Sequence, residues 1–191
     1  MEIHGVQRIR LPQATVWGAL NDAQIIRQSI PGCRRFRQLT DDRYDVMVLT
    51  AVGPVSTEFE GTVSLSRLQP PASYTIAFEG EGQGAGTVLG QADVQLVPED
   101  LGTTLTYRAD MQVTGPLAQA GPRLLEEAAR RMVEGFFARF NAAVEPGAPG
   151  IAAGEARVTE TPGGLWLTPL WAFLGGFGAG LVAIIAATIL Q

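Results

Sequence analysis

Residues 55–68, VSTEFEGTVSLSRL, alternate in character along their whole length. Val55, Thr57, Phe59, Gly61, Val63 and Leu65 fall on one face; Ser56, Glu58, Glu60, Thr62, Ser64 and Ser66 fall on the other. Successive side chains of a strand point to opposite sides, so this is a half-buried antiparallel strand with its outer face in water. Its neighbours read the same way. Residues 34–39 and 43–51 are strands joined by the turn Thr40-Asp41-Asp42. Strands 73–81, 86–97 and 103–113 follow, separated by a Gly-rich turn and a Pro-Glu-Asp turn. Their apolar faces carry Tyr74, Ile76 and Phe78, then Val88, Gly90, Ala92, Val94 and Leu96, then Leu105, Tyr107, Ala109, Met111 and Val113.

Both flanks of this run are different. Residues 2–10 alternate imperfectly, with Gly5 and Gln7 between Ile3 and Ile9. Leu11-Pro12 opens a short helix with Pro12 at its first position and Val16, Trp17 and Leu20 on one side. Asn21-Asp22 caps a second short helix bearing Ile25 and Ile26, which Pro31-Gly32 ends. Together they make a V-shaped lid. Past the strands, Pro122 starts a long helix to about Ala143, in which Leu125, Ala129, Met132, Phe136, Phe140 and Ala143 form one apolar stripe. Val133, Phe137 and Val144 widen it, while Glu126–Arg130 and Glu127–Arg131 are favourable pairs on the opposite side. This order predicts an α+β fold: a curved antiparallel sheet closing on a long C-terminal helix. Gly61, Gly90, Ala92 and Ala109 on the inward faces either admit that helix closely or leave room for a ligand.

The remaining chain has another character. Residues 145–164 are rich in Pro, Gly and Ala without periodicity, a flexible linker with a typical reach of about 25 Å. Leu165 to Leu190 contains no charged residue. As a helix starting at Pro169 behind the cap Thr168, it would extend about 33 Å, matching the hydrocarbon core of a bilayer at about 30 Å. Trp166 and Trp171 sit at its entry, at headgroup level. The expected organisation is therefore a domain over 1–144, a linker over 145–164 and a transmembrane anchor over 165–190. MEIHGVQRIRLP has no apolar run and no signal-peptide character, so the domain is expected on the cytoplasmic side of an inner membrane. Gly176 and Gly180, with Gly175, Ala179 and Ala183, make a small-residue face that is either the ordinary usage of membrane helices or, as the lesser alternative, the seam of a weak homodimer.

Composition narrows the chemistry. The 191 residues carry a net charge of −5, with no broad basic face for nucleic acid. A single cysteine, Cys33, permits no internal disulfide, and a single histidine, His4, permits no histidine-based triad. One of each also leaves no structural zinc site, so no catalytic residue and no metal ligand is expected. The run Gly80 to Gly86 leads into strand-like Thr87, Val88 and Leu89, whereas a phosphate cradle needs a helix N-terminus. Arg34, Arg35 and Arg37 are the one dense basic cluster, either a solvated segment or a contact for anionic headgroups or an acidic partner.

Several segments carry a family resemblance: Trp17-x-x-Leu20-x-Asp22 leading to Ile30-Pro31-Gly32-Cys33, Gly53-Pro54-Val55, and Phe59-x-Gly61-x-Val63. Gly80-x-Gly82, Gly90-x-Ala92-x-Val94 and Asp110-x-x-Val113-x-Gly115-x-Leu117-Ala118 continue it. Over residues 2–144 the chain resembles the carbon monoxide dehydrogenase G-subunit family of the START-like (SRPBCC) superfamily. The resemblance implies a helix-grip fold and a non-enzymatic accessory role. It implies recruitment of a carbon monoxide dehydrogenase-type molybdenum hydroxylase to the inner membrane. It also implies an apolar cavity for a quinone such as menaquinone, with no covalent cofactor.

With that resemblance, Phe59, Tyr74, Phe78, Val88, Tyr107, Met111, Met132, Phe136 and Phe140 are the candidate lining of the ligand cavity, although pattern alone favours a packed core. Tyr74 and Tyr107 are the polar tips able to reach a quinone carbonyl. A polyketide cyclase or aromatase is the enzymatic alternative, but the inward faces offer it no carboxylate or histidine. A recruitment scaffold with a filled core is the third reading.

Overall fold

The computed structural model describes residues 1–52 and 55–144. Seven strands form one antiparallel sheet: β1 (Glu2–Ile9), β2 (Cys33–Thr40), β3 (Arg43–Val52), β4 (Val55–Gln69), β5 (Ser73–Gly82), β6 (Gly86–Glu99) and β7 (Gly102–Val113). Their spatial order is β1-β7-β6-β5-β4-β3-β2, so five hairpins run in sequence and the first strand returns to pair with the last. That closure places Ile3 opposite Ala109 and Gly5 opposite Tyr107. The N-terminal amine donates to the Met111 carbonyl at 2.8 Å, fastening the chain's start to the same strand.

Helices α1 (Gln13–Leu20) and α2 (Ala23–Ser29) follow β1, and α3 (Pro122–Val144) follows β7 through a short 3-10 helix, Pro116–Ala120. The sequence pattern did not reveal that 3-10 segment. Pro12 is not the first helical residue but the cap: its ψ of 147° is extended, and its carbonyl accepts from the Val16 amide at 3.0 Å. Asp22 caps α2 as expected, its carboxylate accepting from the amides of Gln24 at 2.7 Å and Ile25 at 3.2 Å.

The α3 stripe buries Leu125, Ala128, Ala129, Met132, Val133, Phe136, Phe137 and Phe140. On its wet side Arg130 meets Glu126 at 3.3 Å and Arg131 meets Glu127 at 3.2 Å, pairs worth about 0.3–0.5 kcal/mol each. α3 packs on α2, β1 and β3, so it lies across the sheet's inner side from one margin toward the other.

The Ile30-Pro31-Gly32-Cys33 segment joins these layers. Gly32 has φ of +71°, and a Cβ there would overlap the Leu49 carbonyl. Its own carbonyl accepts from the Leu49 amide at 3.0 Å. Pro31 lies beneath Gly135 of α3, its Cγ only 3.2 Å from where a Cβ would stand. The turn therefore holds α2 to β3 and lets α3 come close.

Residues 145–164 and 165–190, read as linker and anchor, lie outside the described residues, as does the Gly53-Pro54 step of the motif. Among the described residues no helix is long and apolar enough to cross a membrane.

Candidate functional site: the residues beneath the lid

Eight of the nine candidate lining residues are buried on the inner side of the sheet or on the facing stripe of α3, three of them (Val88, Phe136 and Phe140) without measurable exposure. On α3, Phe136 stacks on Phe140 with centroids 5.6 Å apart and meets Phe137 edge to face at 5.2 Å. Phe137 was read only as widening the stripe, yet it also stacks on Tyr107 at 6.0 Å. Tyr107 is the exception in burial, only half buried. Partial burial raises its pKa, with Arg130 opposing and Glu134 adding to the rise.

The two tyrosines thus have different situations. Tyr74 and Tyr107 flank Val94 in one row across three strands. Tyr107 turns away toward β1, its ring lying over Gly5. Tyr74 turns toward α1, where it meets Trp17 edge to face, with centroids 5.3 Å apart and planes at 89°. Tyr74 is 2% exposed and Trp17 5%. Neither the Tyr74 hydroxyl nor the Trp17 indole nitrogen has a hydrogen-bond partner. Leaving such a group dry and unpaired costs about 1–3 kcal/mol. Burial pushes the Tyr74 phenol well above its ordinary pKa, so it remains a neutral O–H. The two contacting rings thus each carry a buried donor, an N–H and an O–H, with hydrogen-bonding capacity unused. Thr50, inward on β3, has another buried unpartnered oxygen, as do Asn21 and Asn141.

Gly61 and Gly90, two of the small inward residues, answer to neighbouring strands and not to the helix or a ligand. Phe59 on β4 lies across Gly82, its direct partner on β5, and Phe78 on β5 lies across Gly90, its direct partner on β6. Tyr107 does the same to Gly5. A Cβ at any of the three glycines would overlap the ring above it. At Gly90 the Asp110 carbonyl of β7 is as near as the ring, and at Gly61 the obstacle is backbone alone, the Glu79 carbonyl first, so that its smallness permits β5 to come close. The result is an inner floor paved with aromatic rings seated on glycine, a device that also lets a sheet curve.

Other groups stay apart from this interior. Cys33 is partly buried and its thiol lies 3.4 Å from the Arg35 carbonyl; desolvation pushes its pKa up to about 11, against the opposing charge of Arg27. Arg35 and Arg37 both grip Asp45, at 2.8 and 3.1 Å, so the basic cluster is in part neutralised within the fold. Gly80 to Gly86 forms the end of β5 and its turn into β6, as expected. On the opposite, outer face an open depression of about 750 Å³ runs across the central strands, with Thr62, Ser64, Glu79 and Gln91 in its lining. It is broad and mixed, Ala77 and Leu89 lining it beside the polar groups. Among the described residues no group of three or more His, Cys, Asp or Glu is placed to hold a metal.

Trp17 is the site residue that sequence reasoning passed over, being read as lid packing and motif. The signal was present: an indole with a polar edge on an otherwise apolar helix face needs a partner when buried.

The model of the carbon monoxide dehydrogenase G-subunit (CoxG) family matches residues 5–145. No curated protein matches the chain. Among solved structures, a conserved protein from Geobacillus kaustophilus is 26% identical with a TM-score of 0.72, the match covering 75% of this chain and 95% of that one. An uncharacterized protein from Rhizobium leguminosarum is 14% identical, with a TM-score of 0.58 over 75% of this chain and 93% of that one. A protein from Arthrobacter aurescens is 15% identical, with a TM-score of 0.55 over 80% and 91% respectively. The last two likenesses concern the fold alone.

Proposed function

Because the chain belongs to the carbon monoxide dehydrogenase G-subunit family, we propose that it is an accessory protein that carries a quinone-like apolar ligand for a molybdenum hydroxylase of the carbon monoxide dehydrogenase type. Menaquinone or another isoprenoid quinone is the ligand this reading names. The single observation supporting a ligand is the Trp17 and Tyr74 pair, two buried polar groups without partners beneath the lid. A quinone carbonyl accepts from both, and its ring and isoprenoid chain suit the aromatic floor of Phe59 and Phe78. Residues 165–190, as a membrane anchor behind the linker 145–164, keep the carrier and its partner enzyme at the inner membrane with the domain on the cytoplasmic side. The linker's reach of about 25 Å lets the domain pass between bilayer and enzyme.

A second reading, the scaffold with a filled core, is favoured by one observation: Phe136 and Phe140 show no exposure at all. The cyclase reading has less support. The buried polar residues among those described are Ser29, Thr50, Thr75 and Thr103, with no carboxylate or histidine to move a proton inside.

Native mass spectrometry of the full chain, released from menaquinone-containing membranes, separates these. A bound isoprenoid quinone is expected. A chain that leaves those membranes ligand-free contradicts the carrier and leaves the scaffold.

A further inference from the structure

The turns β2–β3, β4–β5 and β6–β7 all open at one end of the sheet, and in the observed strand order they stand side by side. Two strands separate each turn from the next, a spacing of about 10 Å. Each of the three presents a leucine: Leu39 is 48% exposed, Leu68 39% and Leu101 90%. Val97, beside the third turn, is 50% exposed. Pro70, Pro71 and Pro98 are exposed on the same rim.

The geometry points to this rim as the surface by which the domain rests on an anionic bilayer, with the leucines in the boundary between headgroups and acyl chains. This orientation rests on the membrane tether proposed above and fixes which way up the tethered domain sits. Three considerations choose lipid as the occupant. The chain continues past Val144 into the uncharged stretch 165–190, so a bilayer lies within a linker's reach. The leucines stand singly, about 10 Å apart from turn to turn, and a fluid interface receives each separately; the depression of about 330 Å³ on this rim lies only beside Leu101, between the β6–β7 turn and the start of α1, and does not reach Leu39 or Leu68.

Charge supplies the third. Rim charges nearly balance: Arg8, Arg10, Arg43 and Arg67 stand against Asp41, Asp42, Glu99 and Asp100, with Asp93 paired to Arg67 at 3.1 Å. The outer surface toward the other end carries Glu58, Glu60, Glu79 and Glu81, with Glu60 directly opposite Glu81 and Arg35 3.7 Å from Glu60. Like charges directly opposite repel each other, and an anionic membrane repels this acidic outer surface. The domain is thereby turned rim-down.

Rim-down docking has a functional consequence. Tyr74 is the second residue of β5, immediately behind the β4–β5 turn, and α1 above it is tied to the same rim by Gln13 donating to the Leu96 carbonyl at 2.8 Å. A rim in contact with lipid brings the unpartnered Trp17 and Tyr74 pair close to the bilayer from which an apolar ligand would come.

The test uses the full chain with Cys33→Ala and one new cysteine at a time: Leu39→Cys, Leu68→Cys, Leu101→Cys, or Gln83→Cys in the opposite turn. Each carries an environment-sensitive fluorophore on liposomes containing anionic lipid and a nitroxide-labelled quencher lipid. Flotation with the liposomes is measured in parallel. Blue-shifted and quenched emission at 39, 68 and 101, but not at 83, is expected. Uniform unquenched emission from chains that float overturns this orientation and leaves the tether standing. Chains that do not float overturn both. Rim labels shielded only when the molybdenum hydroxylase is added overturn lipid as the occupant and assign the rim to that protein.

Discussion

The Trp17 indole stands edge-on against the Tyr74 ring at 5.3 Å, and the polar atom of each is buried without a hydrogen-bond partner. The ring contact itself is worth about 0.5–1.5 kcal/mol beyond the area it buries. Two dry donors offset that gain. A pair arranged in this way is stable enough to persist and has hydrogen-bonding capacity to spare for a ligand.

Tyr74→Phe separates the two contributions. It keeps the edge-to-face contact and removes the unpartnered hydroxyl, so the ligand-free protein should gain up to about 1–3 kcal/mol in urea unfolding. The same variant should bind quinone more weakly, by about one hydrogen bond or roughly tenfold. Lower stability in the ligand-free variant would show that the hydroxyl has a partner.

Gly82 and Phe59 offer a double-mutant test of the paved floor. Gly82→Ala drives a Cβ into the Phe59 ring, and overpacking of this kind costs about 1–3 kcal/mol. Phe59→Leu should restore part of that loss in the Gly82→Ala background while being destabilising alone. Gly61→Ala should not be rescued by trimming any side chain, because its obstacle is the Glu79 backbone carbonyl. Additive effects for Gly82→Ala and Phe59→Leu would count against the ring lying on the glycine.

Cys33 should react slowly with alkylating reagents despite being the protein's one thiol. With its pKa pushed up to about 11, the labelling rate should rise with pH through about 8, 9 and 10 without levelling off. A plateau near pH ~9 would mean an ordinary, hydrated thiol.

Alkaline stability follows from the tyrosines. Burial raises the pKa of Tyr44, Tyr74 and Tyr107 in the folded protein. The unfolded chain ionises them at about 10, so it releases protons first and gains relative stability above that pH. Their contribution is complete below about pH 10 and is lost as the pH climbs further. Thermal unfolding midpoints should fall beyond that point, and less steeply in Tyr74→Phe. Equal slopes would show that Tyr74 titrates as an exposed phenol.

Much of the architecture was legible because its periodicities are local. The alternation over 55–68 and the stripe from Leu125 to Phe140 each lie within one element and need no partner to be read. The first strand was less clear because Gly5 breaks its apolar face, and that glycine makes sense only opposite Tyr107. Gly82 and Gly90 are similar: their reason lies on the neighbouring strand, in Phe59 and Phe78. Trp17 and Tyr74 belong to separate elements, and no spacing in the chain announces that their rings meet. Side-chain type identified the inner lining, but tertiary placement divided it into a stacked cluster around Phe136, a half-buried Tyr107 and an unpartnered pair at the lid.

Quinone occupancy in the Trp17→Phe/Tyr74→Phe double variant tests the carrier most directly. The full chain and the double variant are purified from the same menaquinone-containing membranes, and their extractable quinone is measured against circular dichroism as a check on folding. Quinone is predicted with the natural chain, and little or none with an equally folded double variant. Equal quinone in both, or none in the natural chain, would contradict the carrier.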